Sequence, residues 1–361
     1  MKMRKIVCSF MISVVCFMTA ISGVSATSYD TSKINAAYSK VVEYYKNNNN
    51  LNNADKILAV ESLGLEAESN QFDTSSANLS STSLSKKIVT EVLLGVDPTK
   101  DKETLESQID ENGNVEGSWG ASSDVWTLYA LYVTSSEKTN LIANKLNDEL
   151  AASSVCGYEW GGTYYADYDT TGWVIEGLAV VNKEKYATTI NKAIDYIKNN
   201  TTMTTTGWVT ADNVDTQSQV LEGMFAYDTN ALLNDSYTVH PVDCLLNTQL
   251  SDGSFPSGYN AEYTTAEVAK TLGTYKNGSV FEKAKKAYDK MMNPEQPDNT
   301  KPAQPTDTKK DSQSTNKVET TNQKTTSVKT GDETNVVIFV SLSMVSGGLF
   351  LVLRKEYERV H

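Results

Sequence analysis

The sequence predicts an all-α domain built from a repeated pair of helices. Three observations carry this reading. One turn-and-helix pattern recurs at a near-constant period, the stretches between recurrences have apolar residues at helical spacing, and strand-like alternation is scarce. The pattern is a glycine-containing turn with an aromatic ring, a few polar residues, then an acidic or aromatic residue opening an apolar helix. It occurs as Gly117-Ser118-Trp119 before Asp124, Trp160-Gly161-Gly162 before Asp169, Thr206-Gly207-Trp208 before Asp215, and Gly253-Ser254-Phe255 before Tyr263. The opening positions 124, 169, 215 and 263 lie 45, 46 and 48 residues apart, the mark of a helical array or ring with about two helices per unit.

Lys2, Arg4 and Lys5, the apolar run from Ile6 to Ile21 and the small residues Val24-Ser25-Ala26 have the form of a secretory signal peptide over residues 1–26. The folded domain is expected over 27–292. Its early part offers helices at Ser32 to Lys46, Ala54 to Leu65, Ser83 to Leu94 and Thr104 to Ile109, where the repeat is degenerate. The second helices of the later repeats are Glu137 to Leu150, Glu184 to Asn199, Val242 to Leu250 and Val280 to Met292, giving about twelve helices in all. Residues 293–335 hold Pro294, Pro297, Pro302 and Pro305 among Thr, Lys, Gln, Ser and Asp. Such a stretch buries too little apolar surface to offset its ordering entropy, and a flexible stalk is expected.

Residues 336–353 form a second hydrophobic segment, long enough to span a bilayer, and the basic tail 354–361 would hold that end in the cytoplasm. Just before it stands Ser327-Val328-Lys329-Thr330-Gly331. A Thr-Gly pair, an apolar span and a basic tail resemble the Leu-Pro-x-Thr-Gly sorting signals by which sortases attach Gram-positive surface proteins to peptidoglycan. Here Ser327 and Val328 replace the Leu and Pro. The resemblance implies a secreted domain attached to the envelope through its C-terminus, by peptidoglycan linkage at Thr330 and Gly331 or by a single membrane span.

The repeat resembles that of the protein prenyltransferase β subunits and squalene–hopene cyclases. Gln249-Leu250-Ser251-Asp252-Gly253-Ser254-Phe255 is similar to the QW motif of the cyclases with Phe for Trp, and Gln108 through Trp119 is a looser version. The resemblance covers about Gln108 to Leu272 and implies an α/α toroid, about six inner helices within about six outer ones. A fold of this kind hosts many functions, so activity is argued from the residues.

The acids Asp124, Asp169 and Asp215 at the helix openings are expected to cap helices, since a carboxylate there accepts a backbone N–H and faces the positive end of the dipole. Asp167-Tyr168-Asp169-Thr170 also resembles the DxDD motif of class II terpene cyclases, which implies Asp169 as general acid with Asp167 beside it; Thr170 stands in place of the last Asp. A farnesyltransferase-like site is excluded: Asp243 and Cys244 are adjacent where a spacer is needed, and no Arg lies between Thr27 and Met292 to grip a diphosphate. Complement-type thioester domains share the toroid, but Cys156-Gly157-Tyr158-Glu159 lacks their Gln. Cys156 and Cys244, the only thiols of the mature chain, either pair or stay as separate buried thiols. Asp110 to Glu116 spaces oxygens as a calcium loop does, but its Gly comes too early for an EF-hand, and a solvated loop is expected; no metal is assigned. With 45 Asp and Glu against 32 Lys and Arg, a net charge of −13 excludes nucleic acid as a partner.

Rings concentrate in and beside the turns. Trp119, Trp160, Tyr164, Tyr165, Trp208, Phe255 and Tyr259, with Asp124, Glu159 and Asp215, are the candidate ligand-binding residues of an acidic, aromatic mouth; packing into the core is the other role open to them. The sequence therefore favours a surface-anchored, non-catalytic binding module for a small molecule, glycan or peptide. The alternatives are a cyclase using Asp169, a glycan hydrolase using two mouth carboxylates, or a purely structural spacer or adhesin whose mouth is filled by its own side chains. Corrinoid carriers share the toroid, but no residue here specifies a corrinoid.

Overall fold

The computed structural model describes residues 29–68, 72–204, 207–208, 213–235 and 237–294. The expected signal peptide, the stalk beyond 294, the Thr330-Gly331 motif and the 336–353 segment lie outside the described residues. Among the described residues no helix is long and apolar enough to cross a membrane.

The described chain is mostly helical: α1 (Thr31–Asn47), α2 (Ala54–Ser62), α3 (Ser81–Leu93), α4 (Thr99–Ser107), α5 (Ala121–Val133), α6 (Thr139–Ser153), α7 (Tyr168–Asn200), α8 (Val214–Asn234), α9 (Pro241–Leu246), α10 (Ala261–Asn277) and α11 (Val280–Met292). Starts are set by short polar side chains that accept otherwise unpaired N–H groups: Asp30 from Ser32, Asn53 from Lys56 and Ser80 from Ser83. The same chemistry divides two long elements. Asn182 leaves helical geometry inside α7 and caps the chain ahead by accepting from Lys185 N, and Asp228 does so inside α8, accepting from Ala231 N. The segment after Asn182 is thus the second helix expected near Glu184 to Asn199.

Packing follows a closed order. Helix α2 packs on α3, α3 on α5, α5 on α7, α7 on α8, α8 on α10, and α10 on α2. These helices, α7 as far as Ala179 and α8 as far as Phe225, are buried nearly all round; in α5 eleven side chains are buried, from Ala121 to Val133. The others show one buried stripe, as α1 does with Ile34, Ala37, Val41 and Tyr45 against α10 and α9. Glycine lets the buried helices touch: a Cβ on Gly172 of α7 would meet the Gln219 carbonyl of α8 at 2.4 Å, and one on Gly273 of α10 would meet Ser62 of α2 at 2.5 Å. Helix α11 packs mainly on α5 and α3, with Phe281 stacked on Tyr129 at 3.6 Å between ring centroids.

The mutual faces of these helices are not hydrocarbon throughout. Lys270 Nζ lies 3.0 Å from Glu267 Oε2 and 3.7 Å from Glu222 Oε2, all three buried. Ser279, at the entry to α11, donates to Glu176 Oε1 at 2.7 Å, and Tyr129 reaches Glu176 Oε2 at 3.2 Å. Burial pushes the Glu176 carboxyl up to about 7 against the opposing pull of Ser279, Lys270 and Tyr129. Glu222 is driven well above the carboxylate range, again chiefly by burial. Cys156 and Cys244 are separate, buried and unpaired as a disulfide.

Three sequence expectations need correction. The helices of the four repeats begin at 121, 168, 214 and 261, so they are 47, 46 and 47 residues apart, and their caps are Gly120, Asp167, Asn213 and Asn260. Asp169 and Asp215 therefore sit one residue inside the first turn, and Asp124 three residues inside, rather than capping. The resemblance to the QW motif implies a Gln amide bonded to a helix end; the Gln249 amide instead donates to the Ala37 carbonyl in the middle of α1 (3.1 Å) and to the Gly253 carbonyl (3.1 Å), so its turn docks on a helix flank. Finally, residues 157–166 form a hairpin, β1 (Gly157–Trp160) and β2 (Thr163–Ala166), where the sequence reading placed no strand. Gly161 and Gly162 at its tip have φ of 56° and 78°, the left-handed pair that a two-residue hairpin turn demands.

Candidate functional site

The hairpin is held by backbone chemistry. Glu159 N donates to Trp119 O at 3.0 Å, which ties β1 to the turn before α5, and Asp167 N donates to Cys156 O at 2.9 Å. A first-turn hydroxyl repeats the tie between turn and helix: Ser123 accepts from Trp119 N, Thr171 from Cys156 N and Thr265 from Phe255 N. In the register of the sheet Glu159 lies opposite Tyr164, and Tyr158 opposite Tyr165. Since neighbouring residues alternate in face, Glu159 and Tyr164 share one side of the hairpin while Tyr158 and Tyr165 stack on the other, 5.4 Å apart.

Between the hairpin, the 114–120 turn, α5 and α6 lies an open cleft of about 760 Å³. Its rings are Trp119, Trp160 and Tyr164, exposed by 43%, 46% and 44%. Its charged lining is Asp124, Lys145, Glu149 and Glu159. Asp124 is fully buried and engaged: Ser118 donates to Oδ1 at 2.6 Å, and Lys145 Nζ lies 2.9 Å from Oδ2. That pair cancels its own charge, and Lys145 also donates to Gly113 O at 3.3 Å. The two remaining carboxylates are Glu149 and Glu159. Burial raises the Glu149 carboxyl despite the Tyr164 hydroxyl, which donates to Oε1 at 3.2 Å, and despite the Gly157 N–H; Asp124 adds to the rise. The Tyr164 hydroxyl is itself pushed up, first by burial and then by Glu149, so it remains an O–H donor. The wall is acidic and aromatic, with hydrogen-bonding groups at its base.

Of the sequence candidates, Trp119, Asp124, Glu159, Trp160 and Tyr164 meet at this cleft. Tyr165 sits on the opposite hairpin face. Trp208 and Phe255 are fully buried, and both belong to the core. Tyr259 is exposed in the turn before α10 and does not line this cleft. Glu149, Lys145, Ser118 and Asn114 also line the cleft. On α6 the first two read as part of an ordinary polar helix face, and no local pattern distinguishes them.

Asp167 and Asp169 separate into two roles. Asp167 caps α7, accepting from Asp169 N, Thr170 N and the Thr170 hydroxyl. Asp169 is half-buried with its Oδ1 shut off from solvent, and burial, then the charge of Asp167, drive its carboxyl well above the ordinary range while Thr216 opposes them. Its charged neighbours include Asp215, raised to about 6 mainly by burial, and Glu267. These are polar surroundings, not the apolar chamber a carbocation requires. The Asp110 carboxylate accepts from Asn112 N, Asn114 N and the Asn114 amide, closing its own turn as a solvated loop would. Among the described residues no group of three or more His, Cys, Asp or Glu could hold a metal ion.

No family model matches the chain, and no curated protein shows significant similarity to it.

Proposed function

We propose that this chain is a surface-anchored binding module, an α/α toroid of the prenyltransferase and cyclase kind whose ligand seats in the cleft beside the 157–166 hairpin. The closed order of six buried helices and the period near 46 support the toroid. The N-terminal signal-like residues, the Pro-containing stalk and the 327–361 tail support secretion and display on the envelope. The observation that carries the binding reading is the cleft itself: three half-exposed rings beside two carboxylates that no cation neutralises fully, in a volume suited to a small ligand. Catalysis is not part of this reading. The test is a panel of glycan fragments, peptides, corrinoids and isoprenoids titrated against the protein, with Trp119→Ala as control. Ligand-induced stabilisation that is lost in Trp119→Ala supports the cleft; stabilisation that survives the change places the ligand elsewhere.

A second reading has one observation in its favour. Glu149, with its raised carboxyl, faces the same cleft as Glu159, as the acid of a glycan hydrolase would face its partner. Release of reducing ends from a polysaccharide, abolished in Glu149→Gln, would establish that activity, and its absence across cell-wall and plant glycans leaves binding alone.

A further inference from the structure

Away from the cleft, α3 and α4 pack together and enclose three ionisable side chains. Lys87 and Glu91 lie one turn apart on α3, and Asp101 stands in the first turn of α4. Lys87 Nζ is 2.5 Å from Asp101 Oδ2 and 3.5 Å from Glu91 Oε1, and it donates to the Ser76 carbonyl at 3.1 Å. Lys87 and Glu91 are buried, and the Asp101 side chain is only 19% exposed. One amine thus faces two carboxyl groups where water is scarce. The neighbouring pair, Lys86 and Asp55 at 2.8 Å, differs in its third partner: there the amine lies over the Trp126 ring.

Glu91 decides how the charges are arranged. Its Oε2 is shut off from solvent, and among the described residues no donor reaches it. Burial, then the charge of Asp101 and a hydrogen bond to it, hold the Glu91 carboxyl up at about 8 against the pull of Lys87. At neutral pH it is therefore chiefly an acid, donating to the carboxylate that Lys87 touches. The set has the parts of an amide-forming site: a nucleophile, a carboxyl carbon held beside it, and an acid able to hand a proton to the leaving oxygen. The product amide fits the same surroundings. Its N–H takes over the donation to Ser76 O, its C=O accepts from Glu91, and an ion pair costly to keep out of water is gone.

We propose that Lys87 and Asp101 condense into an isopeptide bond that ties α3 to α4, with Glu91 as the proton carrier. The Lys87 ammonium passes a proton to the Asp101 carboxylate across their contact, and the Nζ lone pair attacks Cγ to form the C–N bond. Glu91 then gives its proton to the hydroxyl on Cγ and takes one back from Nζ, and the C–O bond breaks to release water. Overall an ammonium and a carboxylate become an amide and one water, Glu91 ends as it began, and nothing is oxidised or reduced. Cys156 and Cys244 do not pair, so this bond takes the place of a disulfide, restricting the unfolded chain in the same way.

The test is the intact mass of the folded full-length chain, denatured and reduced for the measurement, beside Lys87→Arg, Asp101→Ala and Glu91→Gln, with the chain ends read by peptide mapping. The wild-type chain is expected to fall short of its sequence mass by one water, and Lys87→Arg and Asp101→Ala to carry their full masses. General acid–base help contributes about a hundredfold or more, so Glu91→Gln should stay mostly at full mass over the same time. Tandem fragmentation of the wild-type chain locates the bond without depending on how any variant folds: a single backbone break between residues 87 and 101 should release no separate pieces. A wild-type chain at its full mass overturns the proposal. So does a missing water that survives Lys87→Arg, or fragmentation that places the loss outside residues 87–101. A Glu91→Gln chain that closes as fully as wild type overturns the role of Glu91.

Discussion

Glu176 provides the sharpest quantitative test of how the buried helices are held together. Its carboxyl accepts from Ser279 at 2.7 Å and faces the Tyr129 hydroxyl at 3.2 Å, so it links α7 to α5 and to the start of α11. Burial lifts it from 4.5 to about 7 in the folded protein. Between these two values the folded state keeps a proton that the unfolded chain releases. The contribution is therefore fully present below pH 4.5 and is lost as pH rises through about 7. At about 1.4 kcal/mol per unit, this interval corresponds to about 3 kcal/mol. Glu91, raised to about 8 chiefly by burial, and Asp215, raised to about 6, act in the same direction. The perturbation is Glu176→Gln, which keeps the shape and an acceptor for Ser279. Its amide can donate to Tyr129, whose own hydroxyl donates to Trp173 O at 2.7 Å. Urea denaturation at pH 5 and pH 8 is the assay. Wild type should be less stable at pH 8 by about 3 kcal/mol or more, and in the variant that difference should shrink by about 3 kcal/mol. A wild-type protein more stable at pH 8 than at pH 5, or a variant that keeps the whole difference, would refute the assignment.

Lys270→Met leaves Glu222 and Glu267 without their cation; a loss of about 3–5 kcal/mol is expected at pH 8 and a smaller one at pH 5, where the raised Glu222 carboxyl is protonated, read from the same denaturation curves. Gly172→Ala drives a methyl group to within 2.4 Å of the Gln219 carbonyl, so a net loss of about 2 kcal/mol is expected despite the better helix former, measured by thermal or urea unfolding. Asp167→Ala removes the acceptor for two N–H groups at the start of α7 and should lower stability by about 0.5–2 kcal/mol, with Asp167→Asn recovering most of it.

The sequence by itself determined the helices and their period. Helical spacing of apolar residues is a local property, and it placed α1 and α11 within a residue of their observed ends. Local chemistry was also sufficient for the acidic balance and for the absence of any Arg between Thr27 and Met292. The hairpin was legible too: Gly161-Gly162 between Tyr158-Glu159-Trp160 and Thr163-Tyr164-Tyr165 is a two-residue turn flanked by strand formers, a signal the repeat pattern overshadowed. Only the tertiary structure decided which aromatic rings face solvent. Trp119, after Gly117-Ser118, and Trp208, after Gly207, both stand in glycine-containing turns, yet one lines the cleft beside the 157–166 hairpin and the other is wholly buried. The same holds for the carboxylates. Asp124, Asp169 and Glu149 look alike along the chain, and their different states come from what folding brings near each: the cation of Lys145, a dry niche beside Asp167, or the hydroxyl of Tyr164. Desolvation and pairing energies depend on distance in space, and sequence spacing fixes that distance only within an element.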